Sequence, residues 1–182
     1  LLYLAASGIG TLGIADKDVV ELSNLQRQII HTTTRIGMPK VYSAEEAIRA
    51  LNPEVEVRPY HMEVTPDNVR EIIAPYDVVV DASDNYPSRY AISDAAYREK
   101  KVLVTGSIFR FEGQVTTILP GSGCPCYRCL YPVPPPADLI PLSQQSGVLG
   151  AVAGSIGILQ AIEVVKELLH IGKSLAGSLL VF

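Results

Sequence analysis

The sequence is short of charge. Asp, Glu, Lys and Arg make up 19% of its 182 residues, below the average of about a quarter for soluble proteins. That deficit fits a surface partly covered by something else, such as a second subunit. Positive charge is the scarcer sign: 15 basic residues against 19 acidic ones leave a net charge of -4 and a pI near 5.4. A nucleic-acid partner, which needs a basic face, is therefore not expected. No basic stretch precedes the opening apolar residues, so no signal peptide is read and the expected location is cytoplasmic. Cysteine is rare too, and its three copies sit together at Cys124, Cys126 and Cys129. Clustered in this way they suggest a metal half-site or a redox pair more than a secreted disulfide framework.

Charge is missing altogether from Ile140 to Ile162, which raises the question of a membrane span. The run contains Pro141, Ser143, Gln144, Gln145, Gly147, Gly150, Gly154, Ser155, Gly157 and Gln160, whereas a span needs roughly 20 predominantly apolar residues. A polar loop followed by a buried helix over Gly147–Leu169 is the better reading, with no membrane partner. Elsewhere strands and helices alternate. Leu1 to Ser7 is helix-like and stops at Gly8; Thr11 to Ala15 reads as a short buried strand. Val41, Ala44, Ala47, Ile48 and Leu51 keep helical spacing until Asn52-Pro53 ends it. Val55 and Val57 alternate with glutamates as a half-exposed strand does, and Thr65-Pro66-Asp67 predicts a helix to about Ala74. Asp77 to Asp81 is an apolar run typical of a central parallel strand. A helix over Tyr86–Lys100, a strand over Lys101–Thr105 and an antiparallel strand over Gly113–Leu119 follow. Repeated strand–helix units imply an open, mostly parallel, Rossmann-like α/β sheet with flanking helices and an antiparallel extension. The uncapped opening helix and the bare final strand, Ser178–Phe182, look cut from something longer.

In open sheets of this kind, ligands bind beyond the carboxyl ends of the strands. Asp16 ends the first strand, where a carboxylate can accept hydrogen bonds from ribose hydroxyls. Alone it would be an ordinary loop aspartate, but it opens a polar island with Asp18, Glu21, Ser23, Asn24, Gln26, Arg27 and Gln28. Arg27 offers a planar fork to phosphate oxygens. Lys40, after Gly37-Met38-Pro39, places an ammonium at a helix start. Asp84 follows another strand end; it could hold Mg²⁺, while Ser83, Asp84 and Asn85 all suit a helix N-cap. A ribose acceptor, two cations and a metal carboxylate together describe an ATP site. A glycine-rich phosphate loop, which should precede the helix at Leu1, is absent from this sequence.

These segments together resemble the ThiF/MoeB family: Asp16 through Gln28 with its Ser-Asn-Leu-Gln-Arg-Gln core, Gly37-Met-Pro-Lys40, Leu51-Asn-Pro53, Asp81-Ala-Ser-Asp-Asn85 and Cys126-Tyr-Arg-Cys129. They fall in the family's order across the whole chain. The resemblance implies one adenylation domain over residues 1–182, short of its N-terminal glycine-rich strand-loop and its C-terminal end. It implies that Asp16 holds the ATP ribose, that Asn24, Arg27 and Lys40 contact phosphates with Gln28 in support, and that Asp84 ligates Mg²⁺. Arg27, Lys40 and Asp84 are thus the expected catalytic set. The implied reaction adenylates the C-terminal glycine of a ubiquitin-like sulfur-carrier protein ending in Gly-Gly, in molybdopterin, thiamine or tRNA-thiolation biosynthesis. A homodimer is implied as well.

Two departures bear on chemistry. Cys126 and Cys129 have the spacing of half a structural zinc site, which needs four ligands; in the family a second pair follows near the C-terminus, beyond this sequence, and Cys124 is a weak third ligand. Many relatives carry a cysteine in the loop before the long helix, where this chain has Ser143 in Pro141-Leu-Ser-Gln-Gln-Ser-Gly-Val148. A serine cannot form the thioester or acyl disulfide a thiol can, but adenylation does not require that thiol. A non-catalytic carrier-binding paralogue is the alternative reading. A nicotinamide-dependent dehydrogenase would explain Asp16 but leave Arg27, Lys40 and Asp84 without purpose.

Overall fold

The computed structural model describes residues 1–135 and 147–182. Ser143 and most of the expected polar loop lie outside the described residues. By internal contacts the chain divides into two units, Leu1–Val64 and Thr65–Phe182.

The first unit contains α1 (Leu2–Ala6), β1 (Thr11–Ala15), α2 (Lys40–Leu51) and β2 (Glu56–Tyr60). Helix α1 stops where Gly8 takes a left-handed φ of 77°, from which its amide reaches back to the Ala5 carbonyl at 3.2 Å. Strands β1 and β2 pair in parallel, Thr11 with Glu56 through Ala15 with Tyr60. Parallel pairing requires a crossover, and α2 supplies it. Its Val41, Ala44 and Ile48 are buried at helical spacing, as expected. Between β1 and α2 lie two single turns of 3-10 helix, Leu22–Asn24 and Thr33–Arg35. The polar island is therefore a folded excursion between a strand end and a helix start.

The second unit contains α3 (Val69–Ile73), β3 (Val78–Asp81), α4 (Tyr86–Arg98), β4 (Val102–Phe109), β5 (Glu112–Ile118), α5 (Tyr127–Leu130), α6 (Gly150–Leu169) and β6 (Leu180–Val181). Its sheet runs β3-β4-β5-β6. The β3–β4 pair is parallel; β4–β5 and β5–β6 are antiparallel. Parallel pairs and an antiparallel extension are both present as the sequence implied, divided between two ladders. Strand β4 runs four residues past its expected end because Phe109 pairs with Glu112 across a two-residue turn. Arg110 takes the left-handed φ of 54° that such a turn needs. Helix α3 starts three residues later than Pro66 suggested. The Asn68 side chain accepts the Thr65 amide at 2.8 Å, spending that stretch on a turn before the helix begins.

Helix α6 buries one face rather than its whole surface: Val152, Ile156, Gln160, Ala161, Glu163 and Val164 are covered, while Ile158 and Ile162 are exposed. A Cβ added at Gly113 of β5 would come within 2.3 Å of Ile156, so glycine is what lets this helix lie on the sheet. No helix among the described residues is long and apolar enough to cross a membrane.

Candidate functional site

In the first unit the chemistry gathers between the carboxyl end of β1 and the start of α2. The Asp16 amide donates to the Tyr60 carbonyl at 3.2 Å, continuing the β1–β2 ladder by one bond. Its carboxylate accepts the Asp18 amide at 2.8 Å, a local turn that aspartate makes readily. Lys40 closes this turn from the helix side. Its ammonium lies 2.8 Å from Asp18 Oδ2 and 3.7 Å from Asp16 Oδ2, with only 11% of the side chain exposed. The Lys40 amide also donates to the Asp18 carbonyl at 2.9 Å. Asp18 is the partner that sequence reasoning left without a role; the signal was a second carboxylate two residues after the first.

Asn24 is buried and serves the backbone, accepting the Glu21 amide at 3.1 Å through its side-chain oxygen in a reciprocal cap of the 3-10 turn. The turn brings Arg27 back over Ser23, whose carbonyl accepts from Nη1 at 3.1 Å. Gln28 donates its amide to the Asn24 carbonyl at 2.9 Å, and its buried Oε1 has no hydrogen-bond partner among the described residues. His31, unnoticed in the sequence, lies beneath this loop. It is 9% exposed, with Nδ1 2.8 Å from the hydroxyl of Ser43 on α2. Burial holds its imidazole below the ordinary pKa, with the nearby Lys40 charge acting in the same direction. Arg35 adds a second tie to α2, donating to the Ser43 carbonyl at 2.9 Å. The loop that carries Asn24, Arg27 and Gln28 is thus fastened to the helix that begins with Lys40.

In the second unit the carboxyl ends of β3 and β4 carry a buried polar network. Asp81, 1% exposed, accepts the Ser83 amide at 2.9 Å and the Ser83 hydroxyl at 2.6 Å on Oδ1. Its Oδ2 accepts the Thr105 hydroxyl at 2.9 Å, as the pairing of these two residues in the parallel register allows. The Arg89 Nε stands 3.4 Å from that oxygen as a charge pair without the alignment of a hydrogen bond. Arg89 Nη2 donates to the Ser83 carbonyl. Gln160 of α6 reaches over both strand ends, donating to the Asp81 carbonyl at 2.7 Å; a Cβ at Gly106 would lie 2.6 Å from it. Asp84 is different. It is exposed and has no hydrogen bond or ion pair among the described residues, while Asn85 takes the N-cap of α4 by accepting the Ser88 amide at 2.9 Å.

Beside this network, α5 begins with the cysteine pair. The Cys126 and Cys129 sulfurs are 3.4 Å apart. Burial pushes the Cys126 thiol up, but the Cys129 thiol and backbone hydrogen bonds outweigh it and leave the pKa below its ordinary value. Among the described residues no group of three His, Cys, Asp or Glu could hold a metal ion. Tyr127 between the cysteines is buried and packs edge-on against Tyr90. Burial raises its hydroxyl to about 12 against the opposing pull of Arg89.

The family model described as ThiF family matches residues 1–182. The chain belongs to the ThiF family. It is 47% identical over 186 residues to the sulfur carrier protein adenylyltransferase of Thermus thermophilus, covering all of this chain and 69% of that one. Identity is 49% to the adenylyltransferase and sulfurtransferase MOCS3 of Bos taurus, covering 99% of this chain and 39% of that protein. To the SAMP-activating enzyme E1 of Haloferax volcanii it is 48%, covering 99% and 66%. The chain thus spans between 39% and 69% of the length of these relatives. Two of the crystal structures that share its fold serve as comparisons. One is PaaA, with a TM-score of 0.75 at 23% identity, covering 100% of this chain and 56% of that one. The other is E. coli MccB with AMPCPP and MccA, with a TM-score of 0.78 at 19% identity, covering 97% and 54%.

Of the residues singled out in the sequence, the first unit brings together Asp16 and Lys40 and, in the adjoining loop, Asn24, Arg27 and Gln28. Asp84 stands at the strand end where it was expected, its carboxylate without a partner among the described residues. Sequence reasoning missed Arg89 and Gln160. A polar glutamine in an otherwise uncharged helical run, and an arginine in the first turns of the helix after Asp81, were the available signals.

Proposed function

We propose that this chain is the adenylation core of an enzyme that joins the C-terminal glycine carboxylate of a ubiquitin-like sulfur-carrier protein to AMP. The observation that carries this reading is identity of 47–49%, along the length of this chain, to relatives named as adenylyltransferases or as an activating enzyme. On this reading Asp16 accepts hydrogen bonds from the ATP ribose. Asn24, Arg27 and Lys40 meet the phosphates, and Gln28 supports that shell. A carboxylate oxygen of the carrier attacks the α-phosphorus as its bond to the bridging oxygen breaks, and pyrophosphate leaves with that electron pair. The attacking group is already an anion, so no general base is needed. Catalysis consists of placing two anions in line and neutralising the charge that develops on the phosphates. The product is a mixed anhydride open to a sulfur nucleophile.

Lys40 suits this role because an ammonium has three donors, and Asp16 and Asp18 hold it in place without consuming its capacity for phosphate. Magnesium fits Asp84, since that ion is usually held by one or two carboxylates with substrate phosphates and water; when bound it would neutralise phosphate charge. Cys126 and Cys129 offer two of the four thiolates a structural zinc requires. The carrier ends in Gly-Gly, and the enzyme works as a homodimer in the cytoplasm, where ATP is available and thiols stay reduced.

The test is ATP–pyrophosphate exchange by the full-length protein with a panel of carriers ending in Gly-Gly. Exchange that depends on one of these carriers is expected. Carrier binding without exchange would instead make the protein a non-catalytic partner.

A further inference from the structure

Asp84 has no side-chain bond of its own to another described residue, so the backbone that carries it decides where its carboxylate points. On its C-terminal side that backbone is set by Asn85, the N-cap of α4. On its N-terminal side lies Ser83, all of whose polar groups are engaged. The amide and hydroxyl go to Asp81 Oδ1 at 2.9 and 2.6 Å, and the carbonyl accepts from Arg89 Nη2. The same guanidinium faces Asp81 Oδ2 at 3.4 Å and approaches the Gly106 carbonyl at 3.5 Å, with 13% of its side chain exposed. Arg89 therefore touches the buried carboxylate that anchors the turn, the carbonyl immediately before Asp84 and the neighbouring strand.

We propose that Arg89 is a positioning residue for Asp84: anchored on Asp81, its fork holds the Ser83 carbonyl and so fixes the backbone from which Asp84 meets a divalent cation. This rests on the reading of Asp84 as the residue that receives Mg²⁺ with ATP. The competing possibility is that Arg89 merely balances the buried charge of Asp81. The two differ in what lysine can replace. A lysine keeps the charge but is a point donor, without the planar fork that engages Asp81 and Ser83 together. If charge balance is the whole role, Arg89→Lys keeps both stability and cation affinity. If the fork positions Asp84, Arg89→Lys folds but binds the cation poorly, because small misplacements in a reacting site have large effects.

The experiment uses the full-length protein and two readouts. In metal-free, nucleotide-free protein, hydrogen exchange of residues 82–85 is expected to speed about tenfold in Arg89→Lys, since local opening sets that rate. Calorimetric titration of Mg²⁺ into the ATP complex is expected to show affinity about tenfold weaker, with metal-free ATP binding unchanged. Asp84→Ala should lose the same cation affinity. Should Arg89→Lys fail to fold, the double variant Asp81→Asn, Arg89→Gln takes its place; it leaves no buried charge unpaired but lacks the fork on the Ser83 carbonyl, and is expected to weaken the cation about tenfold. Wild-type cation affinity in a folded Arg89→Lys, in the substituting double variant, or in Asp84→Ala would overturn the proposal. Wild-type protein that binds Mg²⁺ with ATP yet supports no exchange defeats the adenylation reading alone and leaves the Arg89 comparison intact. Protein that binds no Mg²⁺ with ATP defeats both.

Discussion

Two aspartates three residues apart have opposite duties, and single substitutions separate them. Asp84 is exposed and unbonded among the described residues, so Asp84→Ala should leave unfolding free energy within about 0.5 kcal/mol of wild type, as for ordinary surface changes. On the proposed function the same variant abolishes ATP–pyrophosphate exchange. Asp81 is 1% exposed and faces Arg89. Asp81→Ala leaves that arginine without its counter-charge and should cost about 3–5 kcal/mol, read from urea unfolding. His31 gives a pH signature. Its folded pKa is depressed by burial, so the unfolded chain binds the proton first as pH falls. The stability it contributes is complete above the unfolded pKa, about 6.5, and is lost as pH drops through the lower folded value. His31→Gln should therefore flatten the decline in stability below about pH 6.5, measured by denaturation across pH.

At the scale of elements, glycines distinguish helix packing from helix propensity. Gly113→Ala would drive a Cβ to 2.3 Å from Ile156 of α6, and overpacking of this kind costs about 1–3 kcal/mol. Gly154, on α6 itself, would place an added Cβ with nothing within 4 Å beyond the neighbouring helix backbone, among the described residues. Gly154→Ala should stabilise by about 0.5–1 kcal/mol, the difference in helix preference between the two residues. Thermal unfolding of the two variants should move in opposite directions. The sequence showed where most elements lie because their apolar spacing is local: Val41, Ala44 and Ile48 were legible as the buried face of α2. It misjudged the start of α3, where the Asn68 side chain turns the backbone at Thr65, and the reach of β4, because the hairpin partner of Phe109 is a matter of register and not of local preference.

For the whole molecule, the charge deficit can be weighed against the exposed apolar residues. Leu22, Ile29 and Phe111 are 69%, 76% and 73% exposed in a chain with 19% charged residues. Single apolar residues on a surface are ordinary, whereas contiguous exposed patches mark contact sites. On the proposed reading the full-length protein sediments as a dimer at micromolar concentration; a monomer across the whole concentration range would refute that assembly.

The sequence by itself determined the family, the alternation of strands and helices, and the identity of Asp16, Asn24, Arg27, Gln28, Lys40 and Asp84 as a candidate set. Those properties are carried by residue type and short spacing along the chain. What the tertiary structure decided was which polar groups are already occupied. Lys40 shares its charge with Asp18 across 22 positions, Asp81 is enclosed by Thr105 and Arg89, and Gln160 crosses 79 positions to reach the Asp81 carbonyl. Such bonds depend on strand register and helix placement, which folding sets through burial of distant apolar faces, so no local pattern announces them.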